Sequence, residues 1–152
     1  MDDVTVAGAT PEDLSELVQL FMGYPEFYGR RQDASSVERF LRDRVANGDS
    51  VILTANIGGR LVGFTQCYPT RSSLALAPAW VLNDLFVSQE GRGSGAGRAL
   101  VRAAADAARD ADAVYIALET APDNATAQAL YESEGYELDD EFLHFSLGLT
   151  GA

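Results

Sequence analysis

Hydrophobic positions along the chain switch repeatedly between a period of two and a period near 3.6, and the switches divide it into alternating strands and helices. Val4 to Ala7 reads as a short strand. Thr10 follows as a helix N-cap, with Pro11 at the first helical position and Glu12 and Asp13 in the first turn. Leu14, Leu17, Val18 and Phe21 then recur at helical spacing, and Pro25 breaks the pattern inside an aromatic, turn-rich stretch from Gly23 to Arg31. Ser35 and Glu38 have capping-box spacing for a second helix, whose apolar positions are Val37, Phe40, Leu41 and Val45. Asn47 and Gly48 are its terminators.

The next segments predict a hairpin. Val51 to Ile57 and Leu61 to Tyr68 are strand-like, and Gly58-Gly59 between them suits a tight primed turn. A loop at Thr70 to Pro78 leads to a third strand, Trp80 to Ser88. A glycine-rich loop then feeds a helix with Leu100, Val101, Ala104, Ala107 and Ala108 on its inner face. A buried strand is expected at Ala113 to Leu118, a helix from about Asn124 to Glu134 stopped by Gly135, and two closing strands near Tyr136 to Leu138 and Phe142 to Leu149. The order β-α-α-β-β-β-α-β-α-β-β predicts an α/β (α+β) fold with helices on both faces of a mixed sheet of about seven strands.

Composition narrows what such a fold does. A chain of 152 residues, 47% hydrophobic and 22% charged, has the size and balance of a single globular domain. No apolar run approaches the ~20 residues that span a bilayer, and the acidic start MDDVTV lacks the features of a secretory signal, so a cytoplasmic location is expected. Cys67 is the only cysteine and His144 the only histidine, which excludes an internal disulfide and a structural zinc cluster; no metal is expected. The 23 acids face 11 bases, all arginine, for a net charge of −12. That balance argues against a nucleic-acid groove and suits cationic ligands, although an acidic face that only keeps the protein in solution has the same composition. Without lysine the chain cannot form a P-loop.

Candidate chemistry is concentrated between Trp80 and Val101, WVLNDLFVSQEGRGSGAGRALV. A strand, a glycine-rich loop and a helix N-terminus in succession make an anion cradle: glycine admits positive φ, and the first helical N–H groups lack internal acceptors. Gly91, Gly93 and Ala96 also satisfy a dinucleotide fingerprint, with Glu119 placed as its ribose-binding acid, but a preceding hairpin is foreign to that fold. A glycine turn that binds nothing is the third reading.

A second segment bears on this choice. Asn124 to Tyr136 reads NATAQALYESEGY, and together the two segments resemble the GNAT superfamily of acyl-CoA-dependent N-acyltransferases, with details similar to its histone and polyamine acetyltransferase branch. The loop pattern stands as Arg92, Gly93, Ser94, Gly95, Ala96 and Gly97, and the helix pattern as Asn124, Ala127, Leu130, Tyr131, Glu132, Gly135 and Tyr136.

The resemblance implies a cofactor, acetyl-CoA, and a direct transfer of its acetyl group to a primary amine. The loop residues with Arg98 would bind the pyrophosphate. Backbone groups at Leu85, Phe86 and Val87, on a strand splayed from the next, would bind the pantetheine arm and polarise the thioester carbonyl. Asn124 and Ala127 would meet the pantetheine region, although Asn124 also suits a plain helix cap. Tyr131 would protonate the departing thiolate. Asp84, an acid in an apolar strand, is the preferred base or amine anchor, with an arginine-paired structural acid as the alternative; Glu119 and Glu26 are further candidates. Asn83 stands where diamine acetyltransferases carry a glutamate, a departure from a polyamine specificity. Tyr24, Glu26 and Tyr28 fall in the family's substrate-binding loop, with Asn83 and Glu119 as further substrate contacts. A homodimer involving the C-terminal strands is also implied. A non-catalytic acyl-CoA sensor on the same fold and an NAD(P)-dependent oxidoreductase are the alternative functions. His144, Trp80 and Cys67 read as structural.

Overall fold

The computed structural model of the chain describes residues 3–24 and 33–150. Strand β1 (Val4–Gly8) leads to a single 3-10 turn, Pro11–Asp13, and helix α1 (Leu14–Met22); helix α2 is Ala34–Asn47. Strands β2 (Val51–Ile57), β3 (Arg60–Ser72) and β4 (Ala77–Val87) follow, then α3 (Ala96–Asp110), β5 (Ile116–Leu118) and α4 (Ala125–Ser133). The sheet order is β1-β2-β3-β4-β5, antiparallel throughout except for the parallel β4–β5 pair.

Local chemistry explains the element ends. Thr10 and Asp13 form a reciprocal capping box, with the Thr10 N–H donating to Asp13 Oδ2 at 2.9 Å. The α2 cap differs from expectation: Asp33, not Ser35, accepts the Ser36 N–H at 2.7 Å. Both residue types cap helices, and the aspartate, two residues earlier, carries the chain into the first turn with an extended backbone. Gly48 ends α2 in the left-handed region at φ 62°, and Gly58 and Gly59 turn the β2–β3 hairpin at φ 58° and 86°.

The apolar stripes meet the sheet from both sides. Leu17, Val18 and Phe21 of α1 with Val37 and Leu41 of α2 bury against Ile52 and Phe64, and the Phe21 and Phe64 rings stack at 4.0 Å. On the other side Leu100 of α3 joins Ala55 and Val62, while Ala104 and Ala108 cover Cys67, Trp80 and Leu82. Small alanines allow α3 to lie close to the sheet, and Gly63 leaves the contact distance there: a Cβ on it would stand 3.3 Å from Leu100 and 2.8 Å from the Phe86 carbonyl oxygen.

Three expectations are corrected. The segment Thr70 to Pro78 is not a loop, because β3 and β4 continue as a paired arm to Ser72 and Ala77. Cross-strand bonds there override the local turn composition. The strand expected at Ala113 to Leu118 is shorter, Ile116–Leu118, and Val114 and Tyr115 beside it are half exposed. The two closing strands are not formed: residues 137–150 pair with nothing in the sheet and lie exposed, so the sheet has five strands rather than about seven. His144, expected inside a strand, is instead an exposed residue of this segment.

Candidate functional site

The site begins where β4 and β5 part. Their register is Trp80↔Ile116, Val81↔Ala117 and Leu82↔Leu118, and it ends there although β4 runs on to Val87. Leu85, Phe86 and Val87 therefore present one side of their backbone to β3 and the other to the opening between the strands. In a closed sheet those N–H and C=O groups would be paired; here they are available to an extended ligand.

A bulge sits at the parting. Gln66 faces Asp84 but its neighbour Cys67 faces Leu82, so Asn83 is an extra residue in β4. The bulge gathers a polar cluster inside an apolar sheet. Ser50 Oγ donates to Gln66 Oε1 at 2.8 Å, Gln66 Nε2 donates to Asp84 Oδ2 at 3.1 Å, and Asn83 Nδ2 donates to the same oxygen at 3.0 Å. Gln66 is fully buried, so the serine bond fixes which end of its amide meets the carboxylate. Thr65 Oγ1 also donates to the Asp84 carbonyl at 2.7 Å. Both side-chain donors land on Oδ2, and among the described residues no donor reaches Oδ1 of Asp84. No arginine pairs with Asp84 among the described residues.

At the end of β4 the loop builds an N–H cradle. Gly93 and Gly95 have φ 76° and 88°, and a Cβ on either would face open space. The Ser94 hydroxyl donates to the Gly91 carbonyl and accepts the Ala96 N–H at 3.2 Å, bracing the turn. The first regular bond of α3 runs from Ala99 N–H to the Gly95 carbonyl at 2.9 Å, so the N–H groups of Gly97 and Arg98 precede it and remain for a ligand. The positive end of the α3 dipole adds to that preference for an anion. The Arg98 guanidinium is engaged by Ser133 Oγ at 2.9 Å and by Glu134, and Arg102 reaches Glu134 at 2.7 Å. The Arg102 guanidinium hydrogen-bonded to Glu134, with Arg98 beside it, holds that carboxyl below its ordinary range. These pairs tie the start of α3 to the end of α4. Arg92 is exposed and makes no ion pair among the described residues.

Helix α4 meets the start of α3, where a Cβ on Gly97 would stand 3.6 Å from Leu130. Asn124 caps α4, accepting the Ala127 N–H on Oδ1 at 3.1 Å. Gln128 Nε2 holds the preceding turn through the Pro122 carbonyl at 2.9 Å. Tyr131 is buried, with its ring 5.7 Å from that of Tyr136. Burial, then the nearby Cys67 and Tyr131, push the Tyr136 phenol up to about 12. Its hydroxyl and that of Ser88, at the exit of β4, are buried without a hydrogen-bond partner among the described residues. Each such orphan costs on the order of 1–3 kcal/mol; Ser88 stands directly after β4, whereas the Tyr136 phenol feels Cys67 and Tyr131.

The remaining candidates disperse. Tyr24 sets its ring edge-on to Phe64 at 5.9 Å and tilted to Phe86 at 5.6 Å, so it lies against the β4 segment that borders the opening. Glu26 and Tyr28 lie outside the described residues. Glu119 is exposed past the end of β5, with Oε1 3.1 Å from His144 Nε2. Cys67 is a buried core residue, as its pattern suggested, and Trp80 likewise. Sequence reasoning passed over Gln66, Ser50, Ser88 and the Tyr136 hydroxyl. The signal available was a lone glutamine amid apolar neighbours in VGFTQCY, a polar group that burial obliges to find partners.

Comparison with known proteins agrees with this geometry. The model of the acetyltransferase (GNAT) family matches residues 14–136. The uncharacterized N-acetyltransferase YhfO of Bacillus subtilis (strain 168) is 40% identical over 146 residues, covering 96% of this chain and 98% of that protein. An aminoglycoside N(6')-acetyltransferase type 1 of Stenotrophomonas maltophilia is 27% identical over 150 residues, covering 95% and 94%. The crystal structure of a probable acetyltransferase superposes with a TM-score of 0.90 at 38% identity, covering 97% of this chain and 99% of that one. The chain belongs to the GNAT acetyltransferase family.

Proposed function

We propose that this member of the GNAT family transfers the acetyl group of acetyl-CoA directly to a primary amine of a small or peptidic cationic acceptor. The observation that carries the reading is the parting of β4 from β5 immediately before the N–H cradle at the start of α3. An extended arm between the strands and a pyrophosphate at the helix end are what these two features fit. The orphaned hydroxyl of Ser88, directly after β4, supports the fit, because it awaits a polar partner there.

Acetyl-CoA supplies an activated acyl carbon and a thiol leaving group. The residues of the chain do the rest. Gly93, Gly95, Gly97 and the backbone N–H of Arg98 would hold the pyrophosphate, with Arg92, Ser94 and Ala96 shaping the loop. Backbone groups of Leu85, Phe86 and Val87 would hold the arm and stabilise charge developing on the carbonyl oxygen. Asn124 and Ala127 would border the arm from the start of α4. Asp84 would take the amine proton on Oδ1, and Asn83 would stand beside the acceptor. Tyr131 would give the leaving sulfur its proton.

The net charge of −12 supports a cationic acceptor and weighs against nucleic acid. The likeness to an aminoglycoside acetyltransferase supports aminosugar amines as the first to try. Tyr24, Glu26, Tyr28 and Glu119 are the proposed acceptor contacts. The reading extends to a cytoplasmic homodimer; no helix among the described residues is long and apolar enough to cross a membrane. The test is calorimetric titration with acetyl-CoA and NAD(P), followed by thiol release over aminoglycosides, polyamines, lysine analogues and basic peptides. Saturable acetyl-CoA binding with amine-dependent thiol release is expected. Binding without release from any amine would overturn the catalytic reading.

A further inference from the structure

Gln66 is a long polar side chain buried in the middle of the sheet. It is 1% exposed within the buried run from Val62 to Cys67, and an amide there needs partners that an apolar residue of the same length would not. Its two ends find them on opposite neighbours. Ser50, just before β2, donates to Oε1 at 2.8 Å, and Nε2 donates to Asp84 Oδ2 on β4 at 3.1 Å. The register sets the three in one row across the strands: Ile52 faces Gln66, Gln66 faces Asp84, and Ser50 lies two residues before Ile52. The next row along β3 and β4 is Phe64 with Phe86, where Tyr24 packs. The polar row therefore borders the apolar core made by α1 and α2.

We infer that Ser50 and Gln66 are positioning residues for Asp84: together they fix the plane of its carboxylate for the transfer of the amine proton. The inference rests on the acetyl-transfer reading for what Asp84 does, and on the contacts alone for how Asp84 is held. A glutamine amide can turn end for end with little change of shape. Here the carboxylate selects the Nε2 end and the Ser50 hydroxyl holds the Oε1 end, so the amide is clamped between them. The two donors to Oδ2 are not equivalent. Asn83 is exposed, where water can stand in for its amide, whereas Gln66 is buried and its bond has no such substitute. A carboxylate turns easily about its Cβ–Cγ bond, so fixed donors on one oxygen decide which oxygen is left to receive a proton. With both donors on Oδ2, that oxygen is Oδ1.

Ser50→Ala is the decisive variant, because the Ser50 hydroxyl bonds Gln66 rather than Asp84. With a responsive amine it should lower kcat about fivefold, the effect of one hydrogen bond, at unchanged acetyl-CoA affinity, and Ser50→Thr should restore the rate. Gln66→Met keeps the length and loses the amide, and should cost on the order of 10–100-fold. In an Asp84→Asn background, Ser50→Ala should cost no more than about a further twofold, because the group it acts through is gone. Losses that multiply would overturn the positioning role and leave two residues that only support the sheet. A second readout needs no substrate. In protein carrying carbon-13 aspartate, the Asp84 carboxyl resonance, identified by its loss in Asp84→Asn, should shift in Ser50→Ala and return in Ser50→Thr. An unmoved resonance would overturn the inference whatever the kinetics. A shifted resonance with no thiol release from any amine would uphold the clamp on Asp84 and overturn the acetyl-transfer reading instead.

Discussion

Replacing Asp84 with asparagine separates charge from shape at the bulge. The asparagine Oδ1 can accept the bonds now made by Gln66 Nε2 at 3.1 Å and Asn83 Nδ2 at 3.0 Å, so the fold keeps its partners. Hydrogen bonds to a charged acceptor contribute about 1 kcal/mol more than those to a neutral one, so two of them set a ceiling of about 2 kcal/mol on the loss of stability. For a chain of this size that lowers the melting temperature by about 4–8 °C. A domain stable by ~5 kcal/mol or more stays over 99% folded after such a loss. Removing a general base costs on the order of 10²–10⁴ in rate, about 3–5 kcal/mol, which unfolding therefore cannot imitate. The assay is thiol release from acetyl-CoA with a responsive amine between pH 6 and 10, beside calorimetric cofactor affinity. The expected result is a 10²-fold or greater drop in kcat/KM near pH 7 that narrows toward the amine pKa of ~10, where the acceptor arrives already deprotonated. Cofactor affinity should stay within about twofold. An equal loss at every pH would refute the base role, and no loss at any pH would remove Asp84 from the site.

Four further outcomes follow from the same geometry. Tyr131→Phe should lower kcat by about 10²-fold while acetyl-CoA affinity is kept, and an unchanged kcat would exclude it as the proton donor. Gly95→Glu, at φ 88°, and Gly97→Glu should abolish acetyl-CoA binding, by calorimetry, with the chain still folded; retained binding would misplace the cradle. Gly63→Ala brings a Cβ within 2.8 Å of the Phe86 carbonyl oxygen, so urea unfolding should show a loss of about 2–3 kcal/mol. Burial raises the Cys67 thiol from 9.0 to about 11 and the Tyr136 phenol from 10.0 to about 12. Folded pKa values above the unfolded ones mean that their stabilisation is complete below pH 9 and lost as pH rises through 11 to 12. Melting temperature should therefore fall across pH 9–12, and native Cys67 should resist a disulfide reagent at pH 8 that labels it in denaturant.

The glycine cradle and the identity of Asp84 were legible in the sequence, whereas the partners that surround Asp84 were not. Gly93 and Gly95 announce positive φ by residue type alone, and the first N–H groups of any helix lack partners, so the anion cradle needed no tertiary information. The position of Asp84 is different. Its environment depends on which β3 residue lies opposite, and the bulge at Asn83 exists only because two strands with distinct partners must stay in register around it. The alternation over residues 142–149 shows the same limit from the other direction. Period-two patterning specifies that a segment will be a strand with one buried face, yet carries no label for the sheet that buries it. Tyr24 is subject to both limits at once, because its ring packs on Phe64 in the core and on Phe86 beside the opening. The surroundings of Tyr24, like those of Asp84, are therefore set by contacts between elements rather than by any one motif along the chain.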